Sequence, residues 1–202
     1  MKNRKSAPGR GRPRAFDPDR VLDRAMRVFW QKGYEGASLS DLTRAMGINR
    51  PSLYAAFGDK KKLFCRVLER YQKGPAAFVH SALKEPTARR VAGALLFGTV
   101  NALSDPHNPR GCLAVHGALA CGDQAKSVRH QLISSRDERE ALLRERLRRA
   151  KTAGDLPRDS NPTNLAGFIV TVMEGMAIQA TGGAARKQLR SIAETALRVL
   201  PL

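Results

Sequence analysis

The chain has 202 residues, 42% of them apolar, with 36 Lys and Arg against 18 Asp and Glu and a formal charge of +18. That length supports one sizeable core with a smaller module attached, and no stretch approaches the roughly 18 uninterrupted apolar residues of a membrane span. A soluble cytoplasmic protein is therefore expected, and the charge points to nucleic acid or an anionic membrane surface, the latter disfavoured because the first helix bears Asp17, Asp19 and Asp23 rather than a basic amphipathic face. The charge is unevenly placed, with 18 basic residues against 7 acidic ones up to Lys73 and 18 against 11 beyond it. Three widely spaced cysteines, Cys65, Cys112 and Cys121, do not make a disulfide framework, so reduced thiols are expected.

In chain order, residues 1–15 are basic, carry Gly and Pro, and lack the apolar groups of a core, which predicts a flexible arm. No apolar segment follows the basic start, so export is not expected. Within the arm, Arg10-Gly11-Arg12-Pro13-Arg14 resembles the core of an AT-hook, which would place Arg10, Arg12 and Arg14 in a minor groove; the alternative is a solubilising tail. Order begins at Phe16. Asp17 caps a helix with Pro18 in its first turn, Leu22, Ala25, Met26 and Phe29 recur at helical spacing, and Gly33 ends it.

Ser38, with Asp41 three positions on, is an acidic variant of the capping box and opens a short helix bearing Leu39, Leu42, Ala45 and Met46. Gly47 closes that helix. After the turn Gly47-Ile48-Asn49, Asn49 caps a second short helix with Pro51 in its first turn and the i, i+4 pair Leu53 and Phe57. Asp59 caps a fourth helix carrying Leu63, Val67, Leu68 and Tyr71, and Gly74-Pro75 marks the boundary between a unit at 16–74 and one at 75–202. Further helices are predicted over Thr87–Ser104, Cys112–Cys121, Lys126–Lys151, Asn164–Thr181 and Ala184–Leu200, and strand alternation is nearly absent. The fold class is all-α.

Two short helices joined by a three-residue turn containing Gly, inside a compact basic unit, have the layout of a helix-turn-helix. With Leu53 and Phe57 turned inward, the 100° helical step turns Arg50, Pro51, Tyr54 and Ala55 outward, with Ser52 at the flank. Arg50 suits guanine or phosphate and Tyr54 suits phosphate or a thymine methyl, while Pro51 and Ala55 offer apolar contacts. Ser38 and Lys60 stand at helix starts, where phosphates meet backbone donors.

The stretch GYEGASLSDLTRAMGINRPSLYAAFGDKKKLF closely resembles the DNA-binding domain of the TetR/AcrR family. The resemblance implies a homodimer on near-palindromic double-stranded operator DNA, and a divergent helical C-terminal domain that dimerises and binds a small-molecule effector. It also implies a repressor that the effector releases from its operator. Family recognition positions fall on Arg50, Pro51, Ser52, Tyr54 and Ala55, and the phosphate-contacting lysine falls on Lys60. Ala55 departs from the His or other large residue often found there.

In the second unit, the segment from Pro109 to Asp123 resembles a TetR subgroup with Gly-Cys-Leu at this place. Cys112 and His116 are i, i+4, which admits three readings: core packing beside Gly117, Ala118 and Ala120, a sensing thiol, or two ligands of a metal sensor. Effector-pocket candidates by family location are Phe97, Cys112, His116, Met173, Glu174 and Met176, with Leu95, Leu96, Leu113, Val170 and Ile178 as further apolar liners; ordinary core is the alternative. Glu174 is the one acid in the apolar helix from Leu165 to Ala180. The last two helices would form the dimer's four-helix interface. The run Arg136 to Arg149 interleaves arginines with acids and reads as a solvated, i, i+4-paired face.

No GxSxG, Walker A, HExxH or paired CxxC is present, and His80, His107, His116 and His130 form no short metal motif. Catalysis, a cofactor and a fixed metal are therefore not expected. A non-specific nucleoid-type DNA binder would share the charge, but not the capped recognition helix or the large, less basic second unit.

Overall fold

The computed structural model describes residues 16–119 and 125–202. The arm with Arg10, Arg12 and Arg14, and also Cys121, lie outside the described residues. Among the described residues the fold is ten α-helices without a strand: α1 (Pro18–Gly36), α2 (Leu39–Met46), α3 (Arg50–Phe57), α4 (Lys60–Lys73), α5 (Phe78–Ala82), α6 (Ala88–Leu103), α7 (Leu113–Leu119), α8 (Lys126–Thr152), α9 (Pro162–Thr181) and α10 (Arg186–Val199).

Local chemistry sets the boundaries. Asp17 accepts the Asp19 N–H at 2.9 Å, Asn49 the Ser52 N–H at 2.9 Å and Asp59 the Lys62 N–H at 2.7 Å, each satisfying a donor that the first helical turn leaves orphaned. Ser38 and Asp41 cap α2 reciprocally, with the Asp41 N–H on Ser38 Oγ at 3.0 Å and the Ser38 N–H on Asp41 Oδ2 at 3.2 Å. At Gly33 the backbone leaves helical dihedrals (φ 71°, ψ 176°), so the regular part of α1 stops there and a short continuation runs to Gly36. Gly47 takes a left-handed φ of 70° that L side chains rarely adopt, which ends α2 and turns the chain into α3.

One helix was not foreseen, and several ends differ by one or two residues, as at α10, which begins at Arg186 rather than Ala184. α5 went unanticipated because five residues are too few to show a helical period; it is held by Phe78, whose ring lies against Gly98 of α6. α9 begins at Pro162 rather than Asn164, since Asn161 accepts the N–H groups of Thr163 and Asn164.

Among the described residues, three apolar clusters fill the interior. The first joins α1 to α4 around Phe29, Leu42, Leu53 and Phe64, and takes in Leu113, Ala114, Val128 and Leu132 from α7 and α8. The apolar core thus continues past Gly74 into the second unit. The second cluster lies among α5, α6, α8 and α9, and the third among α6, α9 and α10. Edge-to-face contacts between Phe29 and Phe64 (centroids 5.0 Å apart) and between Trp30 and Tyr71 (4.9 Å) lock α1 to α4. Arg70 forks onto Asp23 at 2.9 and 3.0 Å across the same pair of helices.

Candidate nucleic-acid interface and effector cavity

The helix-turn-helix is fixed from beneath. Leu42 and Met46 of α2 and Leu53 and Phe57 of α3 are buried, with Ile48 packed at the edge, so the two helices hold one crossing angle. The opposite face of α3 presents Arg50, Pro51, Tyr54 and Ala55 to solvent, with Ser52 half-buried, and Tyr54 is 48% exposed. Arg50 Nη2 donates to Ser40 Oγ at 3.0 Å, which holds the guanidinium over the start of α2. Ser40 was missed in the sequence because a lone hydroxyl in a first helical turn carries no distinguishing pattern.

The two positions assigned to phosphates are both engaged. Ser38 Oγ donates to Asp41 Oδ2 at 2.8 Å while accepting the Asp41 N–H, so its hydroxyl is committed to the cap. The Lys32 ammonium 2.8 Å from Asp41, together with the Ser38 donors, holds the Asp41 carboxyl down to about 2. Lys60 lies over the Tyr34 ring, 4.6 Å from its centroid, and donates to the Glu35 carbonyl at 3.5 Å. Partial burial pulls the Lys60 ammonium pKa below its ordinary value, opposed by the charge of Glu35; a phosphate would oppose it further.

Between α4, α6, α8 and α9 lies an apolar cavity of about 80 Å³, lined among others by Leu95, Val115, Leu143, Val170 and Met173. One water needs roughly 10–15 Å³ measured this way, so the space suits a molecule of several non-hydrogen atoms. Of the pocket candidates, the structure brings Cys112, Met173 and Glu174 together on this wall. Phe97, Met176 and His116 lie elsewhere, and helix rotation is the reason for the first two. Phe97 points at α10, where the Arg190 guanidinium sits 5.6 Å from its ring, and Met176 is buried in the cluster of α6, α9 and α10. Leu96 belongs to that cluster too, Leu113 to the first, and Ile178 is exposed. His116 is held outside the cavity: its Nδ1 lies 3.0 Å from the Cys112 carbonyl and its Nε2 2.5 Å from Thr181 Oγ1.

Four polar liners escaped the sequence reading: Thr99, Arg136, Arg139 and Tyr71. Arg136 Nε stands 2.7 Å from Glu174 Oε1, although out of line for a hydrogen bond. Arg139 faces the same space and gives its Nε to the Ser135 carbonyl at 3.2 Å. Tyr71, from α4, reaches across and donates its hydroxyl to Cys112 Sγ at 3.2 Å. Burial, chiefly, and then the neighbouring thiol push the Tyr71 phenol well above its ordinary pKa, so it stays a neutral donor. The cavity wall and the last helix of the DNA-binding unit are therefore one piece of structure.

A capped helix-turn-helix tied to a helical body with an internal cavity defines a ligand-responsive DNA-binding regulator in architecture. The family comparisons give the same class. Residues 21–67 match the model of bacterial regulatory proteins of the tetR family, and residues 89–196 match the tetracyclin repressor-like C-terminal domain. The chain is 34% identical to the HTH-type transcriptional repressor ComR of Escherichia coli (strain K12), over 95% of this chain and 92% of that protein. It is 30% identical to the HTH-type transcriptional repressor BdcR of the same strain, over 92% and 90%. Among solved structures, a cysteine mutant of the TetR family transcriptional regulator CifR, complexed with a 26-base-pair operator DNA, superposes with a TM-score of 0.90 at 44% identity, covering 94% of this chain and all of that one. This chain belongs to the TetR family of transcriptional regulators.

Proposed function

We propose that this chain is a homodimeric repressor of the cytoplasm that binds operator DNA through α3 and is released when a small molecule enters the α4/α6/α8/α9 cavity. Tyr71 carries the reading. It belongs to the DNA-binding unit and also forms part of the cavity wall, so a ligand that displaces its hydroxyl from Cys112 acts directly on α4 and on the α1–α4 packing behind α2 and α3. Arg50, Pro51, Ser52, Tyr54 and Ala55 are assigned to the major groove, Ser38 and Lys60 to phosphates, and Arg10, Arg12 and Arg14 to the minor groove. Phe168, Ile178, Ile192 and Val199 leave apolar surface exposed on α9 and α10, which supports these helices as the dimer interface. The test is a gel shift on DNA upstream of the chain's own gene at ~150 mM salt with excess competitor, where a regulator gives a surviving, sequence-specific complex. A complex that any competitor removes marks a non-specific binder.

A second reading has its own observation. Cys112 is half-buried on the cavity wall with a phenol against its sulfur, a placement that also serves a thiol sensor of oxidants or electrophiles. That reading requires the operator affinity of Cys112→Ala to stop responding to such reagents. The metal variant requires His116 to give up one of its two contacts, Nδ1 with the Cys112 carbonyl or Nε2 with Thr181 Oγ1.

A further inference from the structure

Among the described residues the cavity's polar groups are not balanced: two guanidinium groups, Arg136 and Arg139, face it against one carboxylate, Glu174, which stands beside Arg136. Arg139 spends only its Nε, on a backbone carbonyl of its own helix; among the described residues its terminal nitrogens have no hydrogen bond or ion pair. Its charge reaches the Tyr71 hydroxyl. That hydroxyl is given to a thiol, a weak acceptor, and is easily redirected to a better one. Thr99, by contrast, has already given its hydroxyl hydrogen to the Leu95 carbonyl at 2.8 Å. The remaining wall is aliphatic, from Leu95, Leu143, Val170 and Met173.

We propose, building on the effector-release reading above, that the ligand of this cavity is a small organic carboxylate. Its anionic head meets the Arg139 guanidinium and the Tyr71 hydroxyl, and its compact apolar body fills the space between α6, α8 and α9. A planar guanidinium with unspent parallel N–H groups matches a carboxylate in geometry as well as charge. A neutral amphiphile would leave that cation desolvated and uncompensated.

The test uses the full-length protein and isothermal titration with benzoate and hexanoate against their uncharged counterparts benzamide and hexanamide. The carboxylates are expected to bind at least about tenfold tighter than the amides, the factor that one charge-assisted hydrogen bond supplies. Arg139→Gln should erase that preference without changing amide affinity, and Arg139→Lys should restore part of it. Equal affinities in the wild-type chain, or carboxylates that do not bind, overturn the proposal whatever the variants do. Operator binding followed in parallel separates the two levels. Release by an amide alone keeps effector release and sinks the carboxylate, whereas a carboxylate that binds without releasing operator keeps the ligand class and sinks release.

Discussion

The indole N–H of Trp30 donates to the carbonyl of Gly111 at 3.1 Å, a buried hydrogen bond between residues 81 apart in the chain. It joins the end of the regular part of α1 to the segment that leads into α7. Trp30→Phe keeps the aromatic body but leaves the Gly111 carbonyl buried without its donor, a loss of about 1–3 kcal/mol. Urea denaturation followed by circular dichroism, with the indole fluorescence gone, is expected to show that loss. Because the bond spans the two units, the variant should also change how strongly effector binding weakens operator binding.

Asp41 gives a pH-dependent prediction. Its folded-state pKa, about 2, lies below the ordinary 3.8, so its contribution is fully present above the unfolded value and disappears as pH falls through the folded one. Asp41→Asn should therefore be less stable than wild type by a constant amount at neutral and mildly acidic pH. The gap should close between pH 3.8 and about 2. Thermal melts of the two proteins along that series check the sign.

Arg50 and Lys60 should separate in their effects on DNA. Arg50→Ala removes the polar reader of α3 and is expected to relax sequence preference by roughly 1–3 kcal/mol at one base position. Lys60→Ala should weaken every sequence alike and lower the salt slope by about one phosphate contact. Anisotropy titrations on an operator and a single-base variant over a salt series resolve the two, and the reverse assignment would refute the docking.

Gly98 tests the packing of the helix that sequence did not reveal. A Cβ there would collide with the Phe78 ring, so Gly98→Ala must push that ring out of its place on α6 and should cost about 1–3 kcal/mol. Phe78→Leu in the same background should recover part of it, measured as a rise in melting temperature over the single variant.

The DNA-binding unit was legible because its signals are local. Asp17, Ser38, Asn49 and Asp59 each cap within three residues, and Gly33 and Gly47 break helices at the positions they occupy. The cavity was harder because α6 and α9 are apolar on most faces, which leaves no periodicity to say which side is hollow and which is packed. Thus Phe97 and Met176 resembled Met173 in sequence, and all three meet the cluster of α6, α9 and α10, but of the three Met173 alone also reaches the cavity. Arg136 and Arg139 were hidden in a charged run whose acids suggested a solvated face. One pair of that run, Arg148 with Glu145, is indeed exposed, although at i, i+3 rather than the expected i, i+4, while Arg136 and Arg139 face the cavity. Tyr71 looked like one more apolar position on α4 and carries the contact between that helix and the cavity thiol.

That contact decides how the molecule divides. A hybrid regulator spliced at Gly74 would separate the cavity from the phenol that forms part of its wall, and would import a stranger's α4 in its place. Interchangeable parts in this fold are therefore not the two stretches on either side of the Gly-Pro. The sensing half travels with Tyr71, and only α2 and α3, with the caps that hold them, form a reading head that can be exchanged without rewriting what the protein senses.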